Sequence, residues 1–264
     1  MPITPDQEQE WAKRTGHCLY GPSSLPRIIA CPASAQETLK MPLRPSSDYA
    51  EQGTKRHDRI ARATTQDKLD PYTFIKRRMD LEPKEKNLVY LALDYYMPLV
   101  VNVTNIHTEK MVSLAPWGLP EIFGTTDKMW VDAEGTIHIL DWKFGSGEQV
   151  FAEDNDQLLG YAAGSVGFPY PGNPKIVLHV VQPALTHFDK WETEYSYLVK
   201  WVNERLAPAI AAAKAHNPEF NPGEKQCRFC AARGTCKARH DKNQTNAVEV
   251  FSAVVELEKR VTQI

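Results

Sequence analysis

Gly124-Thr-Thr-Asp-Lys-Met-Trp-Val131, Asp132-Ala-Glu-Gly135, Thr136-Ile-His-Ile-Leu-Asp-Trp-Lys-Phe144 and, further on, Gln157-Leu-Leu-Gly-Tyr161 make up the stretch on which the fold turns. Ile122 to Val131 and Thr136 to Phe144 are both strand-like, and Asp132 to Gly135 suits the turn between them. Side chains alternate along a strand, so Asp141 and Lys143 share one face and Trp142 takes the other. Folding back about Ala133-Glu134 brings Asp127 opposite Leu140 and Asp141. Two carboxylates and an ammonium then meet in a small space. A helix from Asp154 to Val166 follows, with Gln157 and Tyr161 one turn apart on one face.

Neighbouring carboxylates repel unless something positive lies between them, and hard divalent ions prefer oxygen ligands. Mg²⁺ or Mn²⁺ held by Asp127, Asp141 and a main-chain carbonyl would satisfy that demand. Such an ion activates water for attack on phosphorus, and Lys143 can orient that water or stabilise charge on the phosphate. The plainer alternative for an isolated Asp-x-Lys is a half-buried salt bridge between strands.

The whole set resembles the PD-(D/E)XK nuclease superfamily, in its RecB-like and phage-associated branch. Asp127, Asp141, Lys143, Gln157 and Tyr161 stand in the order of that pattern, and Thr126 replaces the proline of the superfamily name, which RecB-like members commonly lack. Gly53-Thr-Lys-Arg-His57 is similar to the N-terminal motif of these nucleases, in which the histidine joins the metal site. The resemblance implies Mg²⁺ or Mn²⁺ on His57, Asp127, Asp141 and the carbonyl of Trp142, with Glu51 and Glu109 as weaker candidates. It implies an α/β nuclease core, a central mixed β-sheet flanked by helices.

Five cysteines are present. Cys18 has no partner pattern, whereas Cys227-Arg-Phe-Cys230 and Cys236 are closely spaced and Cys31 sits at a helix exit ahead of Pro32. A zinc ribbon would more often show two Cys-x2-Cys pairs, and only one occurs. One N-terminal and three C-terminal cysteines resemble the iron–sulfur staple of AddB-type helicase-nucleases and CRISPR-adaptation nucleases. That implies a [4Fe–4S] cluster on Cys31, Cys227, Cys230 and Cys236, with Zn²⁺ the alternative.

The remaining sequence is consistent with one packed unit of three regions: a helical 1–98 carrying Cys31 and His57, a core over 99–215, and a cysteine region with a terminal helix over 216–264. Helices are expected at Pro5 to Arg14, from a Ser23-Ser24 cap to Cys31, from Tyr49 to Ala63, within 66–98 with a Leu88, Leu91, Leu93-Asp94-Tyr95 stripe, and from Glu192 to Ala213 with a bend at Pro208. Strands are expected at Leu99 to Val103, Thr108 to Leu114 and Lys175 to Gln182, the last buried on both faces. Thr245 to Ile264 is expected to be a helix that packs home or mediates self-association.

A net charge of −2 gives no global pull toward nucleic acid, so contact must rely on patches at Lys76-Arg-Arg78 and from Lys225 to Lys242. No signal peptide and no run long enough to span a membrane occur, which points to the cytoplasm of a bacterial or phage-infected cell. The glycines of Gly145-Ser-Gly147 have the wrong spacing for a P-loop. The combined expectation is a metal-dependent deoxyribonuclease, an exonuclease on DNA ends in recombination or repair. The alternatives are a DNA-binding iron–sulfur module, a redox protein, an endonuclease, and a nuclease subunit active only with a partner such as a helicase.

Overall fold

The computed structural model describes residues 2–43, 48–65, 70–78 and 80–261. Its helices are α1 (Pro5–Thr15), α2 (Leu25–Ala30), α3 (Ala33–Leu39), α4 (Asp48–Ala63), α5 (Pro71–Lys76) and α6 (Pro83–Tyr96) before the sheet. Strands β1 (Ile106–Ser113), β2 (Phe123–Val131) and β3 (Ile137–Trp142) follow, then α7 (Asp156–Val166), β4 (Lys175–Gln182) and β5 (His187–Glu194). The chain ends with α8 (Tyr195–Trp201), α9 (Ala207–Lys214), α10 (Glu224–Arg228) and α11 (Lys237–Val261).

The five strands form one mixed sheet in the order β1-β2-β3-β4-β5, antiparallel throughout except for the parallel β3–β4 pair. A parallel pair needs a crossover, and α7 supplies it. Thr136 N and Glu134 N both donate to Asp132 Oδ1 at the β2–β3 turn, where Gly135 has φ 80°, a conformation open to glycine.

Each sheet face carries its own core. Met129, Ile137, Ile139, Ile176, Leu178 and Val180 face α2, α7 and the α8–α9 segment. Trp130, Leu140, Trp142 and Val181 face α4, α5 and α6. Trp142 is 1% exposed, and its truncation to alanine would cost about 3–5 kcal/mol. Close packing of α2 on α7 requires Gly160, where a Cβ would lie 2.7 Å from Leu25 Cδ1.

Several expectations are corrected. Leu99 to Val103 is not a strand: the chain leaves α6 through a 3₁₀ turn, Met97–Val100, and Val101 is exposed. The buried stripe of α6 is Val89, Ala92, Leu93 and Tyr96, so Leu91 and Asp94 lie outward. Glu192–Glu194 belongs to β5 and the helix begins at Tyr195; a π turn at Val202–Leu206, not a Pro208 kink alone, breaks it. Helix α2 lacks a side-chain cap from Ser24, and a 3₁₀ turn at Pro22–Ser24 leads into it. Helix α11 begins at Lys237, ahead of Thr245. The expected loop at 42–48 falls largely, and residues 66–69 of the expected 66–98 helical region fall entirely, outside the described residues.

Among the described residues no helix is long and apolar enough to cross a membrane.

Candidate functional site

Lys128 pairs with Leu140, and the same register sets Asp127 opposite Asp141 at the end of the β2–β3 ladder. There Trp142 N–H donates to Asp127 Oδ2 at 2.7 Å, which consumes one carboxylate oxygen. The other, Oδ1, lies 3.5 Å from His57 Nδ1. Glu109 joins them, and the three side chains offer ligand atoms within 4.8 Å of one another.

Glu109 reaches this place through an unusual backbone. Its φ is 48°, uncommon for a residue with a Cβ. Thr108 is bound by Lys128 on the α6 side, whereas Val112 packs under α7, although residues an even number apart normally share a face. The left-handed residue lies between them. Strain of this kind costs about 1–3 kcal/mol and is concentrated at functional sites.

Asp141 sits beside this group, 4% exposed. Gln157 Nε2 donates to its Oδ1 at 3.2 Å. Lys143 Nζ forms an ion pair with Oδ2 at 2.7 Å. Lys143 is also steadied by Gln157 Oε1 at 3.0 Å, and Gln157 contacts the Tyr161 hydroxyl at 3.2 Å. Asn155 caps α7 by accepting from Gln157 N and Leu158 N, which fixes the turn that presents Gln157.

Burial raises the Asp141 pKa, with the Lys143 charge opposing and Asp127 adding to it. Glu109, although exposed, is also raised, by partial desolvation and then by the Asp127 charge. For His57, burial pulls the pKa down, but its contact with Asp127 outweighs that and the net shift is upward. Burial also raises the Tyr161 hydroxyl. Three carboxylates beside one ammonium repel one another and leave a surplus of negative charge that a cation would offset. One imidazole nitrogen and several carboxylate oxygens form a hard donor set that fits Mg²⁺ or Mn²⁺.

Of the residues expected at this site, His57, Asp127, Asp141, Lys143, Gln157 and Tyr161 converge. Trp142 contributes its N–H to Asp127. Glu51 lies exposed on α4, outside the cluster, and Glu109 is inside it.

Cys31, Cys227, Cys230 and Cys236 line one cavity, where α10 packs against α2. None of them is in a disulfide. Burial raises the Cys31 thiol, while N–H groups of Asn221 (3.4 Å from the sulfur) and Ser34 oppose that. Arg27 adjoins these thiols with its Nε buried and unpartnered, which suits an anionic group on the sulfurs. Four thiol donors fit a [4Fe–4S] cluster or Zn²⁺ alike. Cys18 stands apart, its thiol donating to the Glu121 carbonyl at 2.7 Å.

The two basic patches differ. Arg78 is neutralised by Asp80 at 2.7 Å, the solvated arrangement. From Glu224 to Lys242, six Lys or Arg stand against two acids. Arg233, Arg239 and Lys242 spend donors on main-chain carbonyls, so their charge is not cancelled locally.

Among solved structures, the chain is similar to one titled "Crystal structure of SSO0001", at 14% identity over 89% of this chain and 93% of that one. Its TM-score is 0.37. The family described as "Protein of unknown function (DUF2800)" matches residues 17–263. The chain therefore belongs to the DUF2800 family.

Proposed function

We propose that this protein is a divalent-metal-dependent DNA nuclease of PD-(D/E)XK type. The supporting observation is that His57, Glu109 and Asp127 offer ligand atoms within 4.8 Å of one another, beside Asp141 with its Lys143 and Gln157 contacts. His57, Glu109, Asp127, Asp141 and the Trp142 carbonyl would hold Mg²⁺ or Mn²⁺. The ion supplies Lewis acidity at the phosphodiester and its attacking water.

The chain's own groups do the rest. Lys143, pinned by Gln157, places a cation beside the phosphate, where charge builds as water attacks phosphorus. The P–O bond to the leaving 3′-oxygen breaks, giving a 5′-phosphate and a 3′-hydroxyl. Trp142 N–H keeps Asp127 in one rotamer, so its Oδ1 stays directed at the site.

The four cysteines would hold a [4Fe–4S] cluster, with Zn²⁺ as the alternative, tying the segment after α10 to α2. The role is structural, and the biological setting is recombination or repair of bacterial or phage DNA in the cytoplasm.

Anaerobically purified protein is given end-labelled linear single- and double-stranded DNA and closed circles, with Mn²⁺, Mg²⁺ or EDTA. Metal-dependent loss of linear DNA that spares circles and is absent from Asp127→Asn is expected. Cutting of circles would make it an endonuclease. No cleavage by folded, metal-loaded protein would overturn a stand-alone enzyme in favour of a subunit that requires a partner such as a helicase. Iron and sulfide content of the same preparation decides between cluster and Zn²⁺.

A further inference from the structure

A groove of about 400 Å³ lies beside the cysteine cavity. Its walls are apolar, formed by Trp11, Met41, Leu43 and Phe229, and its charged lining residues are Arg228 and Arg233. No carboxylate lines it among the described residues. Such chemistry rejects cations and suits a flat apolar ring joined to an anion.

Phe229 is the telling residue. It is 79% exposed, yet it sits between Cys227 and Cys230, so its backbone is held by the cysteine turn. A large aromatic fixed in water loses little entropy when a partner stacks on it. Arg228 lies 5.9 Å from its ring centroid and also pairs with Glu148, in the loop that follows Lys143. Gln182 clamps that loop by donating to the carbonyls of Gly145 and Glu148. The groove is therefore joined by direct contacts to the connection leaving the candidate active site.

We propose that this groove binds single-stranded nucleic acid, an unpaired base stacking on Phe229 and the adjoining phosphate lying on Arg233. The assignment rests on the nuclease reading and adds that the strand approaching the site is unpaired. Exposed aromatics with neighbouring guanidinium groups are the usual platform for single strands, because every base has a π-face. A duplex keeps its bases stacked and would leave Phe229 unused.

The test is equilibrium binding, by fluorescence anisotropy in EDTA, of labelled oligodeoxythymidine and of its duplex with oligodeoxyadenosine. Wild type, Phe229→Ala and Phe229→Trp are compared, each checked for iron or zinc content and melting temperature. Phe229→Ala should weaken single-strand binding roughly tenfold, the scale of one lost base–aromatic stack, leave duplex binding unchanged, and be rescued by Phe229→Trp. Equal single-strand binding by wild type and Phe229→Ala, or no single-strand binding by wild type, would overturn the proposal. Metal-dependent cleavage is measured in parallel. Cleavage with a neutral Phe229→Ala removes this groove alone, whereas Phe229-dependent binding without cleavage removes the stand-alone nuclease and leaves the groove.

Discussion

The sheet buries a polar cluster on each of its faces, and the two are built on opposite principles. Under α6, Asp132, His138, His179 and Tyr95 form an unbroken chain. His138 Nε2 meets Asp132 Oδ2 at 3.0 Å, His138 Nδ1 meets His179 Nε2 at 3.0 Å, and His179 Nδ1 meets the Tyr95 hydroxyl at 2.9 Å. One assignment of protons satisfies every nitrogen: His138 donates to Asp132, His179 to His138, and Tyr95 to His179. Trp130 stacks on both imidazoles, at 4.7 and 5.6 Å between ring centroids. Under α7, by contrast, Asp127 and Asp141 face each other with Lys143 paired to Asp141 alone, and Glu109 sits nearby on a left-handed backbone. The second cluster gathers three carboxylates beside one lysine, a surplus of negative charge that a cation from outside the chain would balance.

The largest effect expected from this contrast is at Asp141. Asp141→Asn keeps the shape and removes the charge, so cleavage should fall about a thousandfold, roughly 4 kcal/mol of barrier. Its melting temperature should hold or rise, because a carboxylate disfavoured by burial is replaced by a neutral amide. Rate and thermal melt are measured on the same preparation. A variant that loses stability and keeps activity would place Asp141 with the structural cluster.

Lys143→Met comes next, with a loss of about a hundredfold in cleavage. Here stability should fall too, since Asp141 is left buried without its cation partner. Restored stability in the double variant Asp141→Asn, Lys143→Met, with no return of activity, would confirm that the two effects are separable. A single-variant rate within a few fold of wild type would leave Asp141–Lys143 a plain ion pair within one strand.

Why the sequence revealed one cluster and hid the other follows from local physics. Asp127, Asp141 and Lys143 were legible because a short turn and strict alternation fix their register, and the Asp132–Gly135 turn forms as its composition implies. Gln157 and Tyr161 were legible as one face of a capped helix. Glu109 could be named but not placed, because a residue at positive φ departs from the alternation on which the reading depends. The histidine chain was invisible: His138 and His179 are 41 residues apart, and only the parallel β3–β4 register brings them together. Strand β5 was missed because Asp189, Lys190, Glu192 and Glu194 make a half-exposed edge strand look like a polar helix start, while Leu99 to Val103 looked like a strand from its branched residues alone. The cysteines were gathered by resemblance, and the folded chain does bring all four to one cavity. Arg27 beside them, and the Arg228–Glu148 link, carry no sequence signal of their own.

The structural cluster makes its own prediction, smaller and of opposite character. His179→Leu leaves the Tyr95 hydroxyl and His138 Nδ1 without their partner and should destabilise the protein by about 1–3 kcal/mol, with cleavage per folded molecule unchanged. His179→Gln can donate through its amide and accept through its carbonyl, and should recover most of that loss in denaturant melts. A drop in cleavage by the glutamine variant at full folding would mean that the histidine chain serves the chemistry as well.

The smallest effect is in the pH dependence, and it isolates one group. Burial, then the charges of His138 and Lys190, lower the His179 pKa from 6.5 to about 3. The unfolded chain therefore takes up a proton near pH 6.5 that the folded chain refuses until about pH 3. More protons bound to the unfolded state means that stability falls as pH is lowered through that window, with a slope approaching about 1.4 kcal/mol per pH unit. Asp132 also loses stabilisation on acidification, but its pKa is lowered, bonds to His138 and Thr136 outweighing burial, so its window opens around the ordinary carboxylate value of 3.8 and extends below it. His57, whose pKa is raised, acts with the opposite sign and is lost as pH rises. The difference between wild type and His179→Gln, followed by denaturant unfolding from pH 7 down to pH 5, cancels His57 and Asp132 and leaves His179. Wild type should lose stability faster than the variant across that range. Parallel curves would mean that His179 accepts a proton in the folded state, and the completed chain of hydrogen bonds would then be carrying charge rather than excluding it.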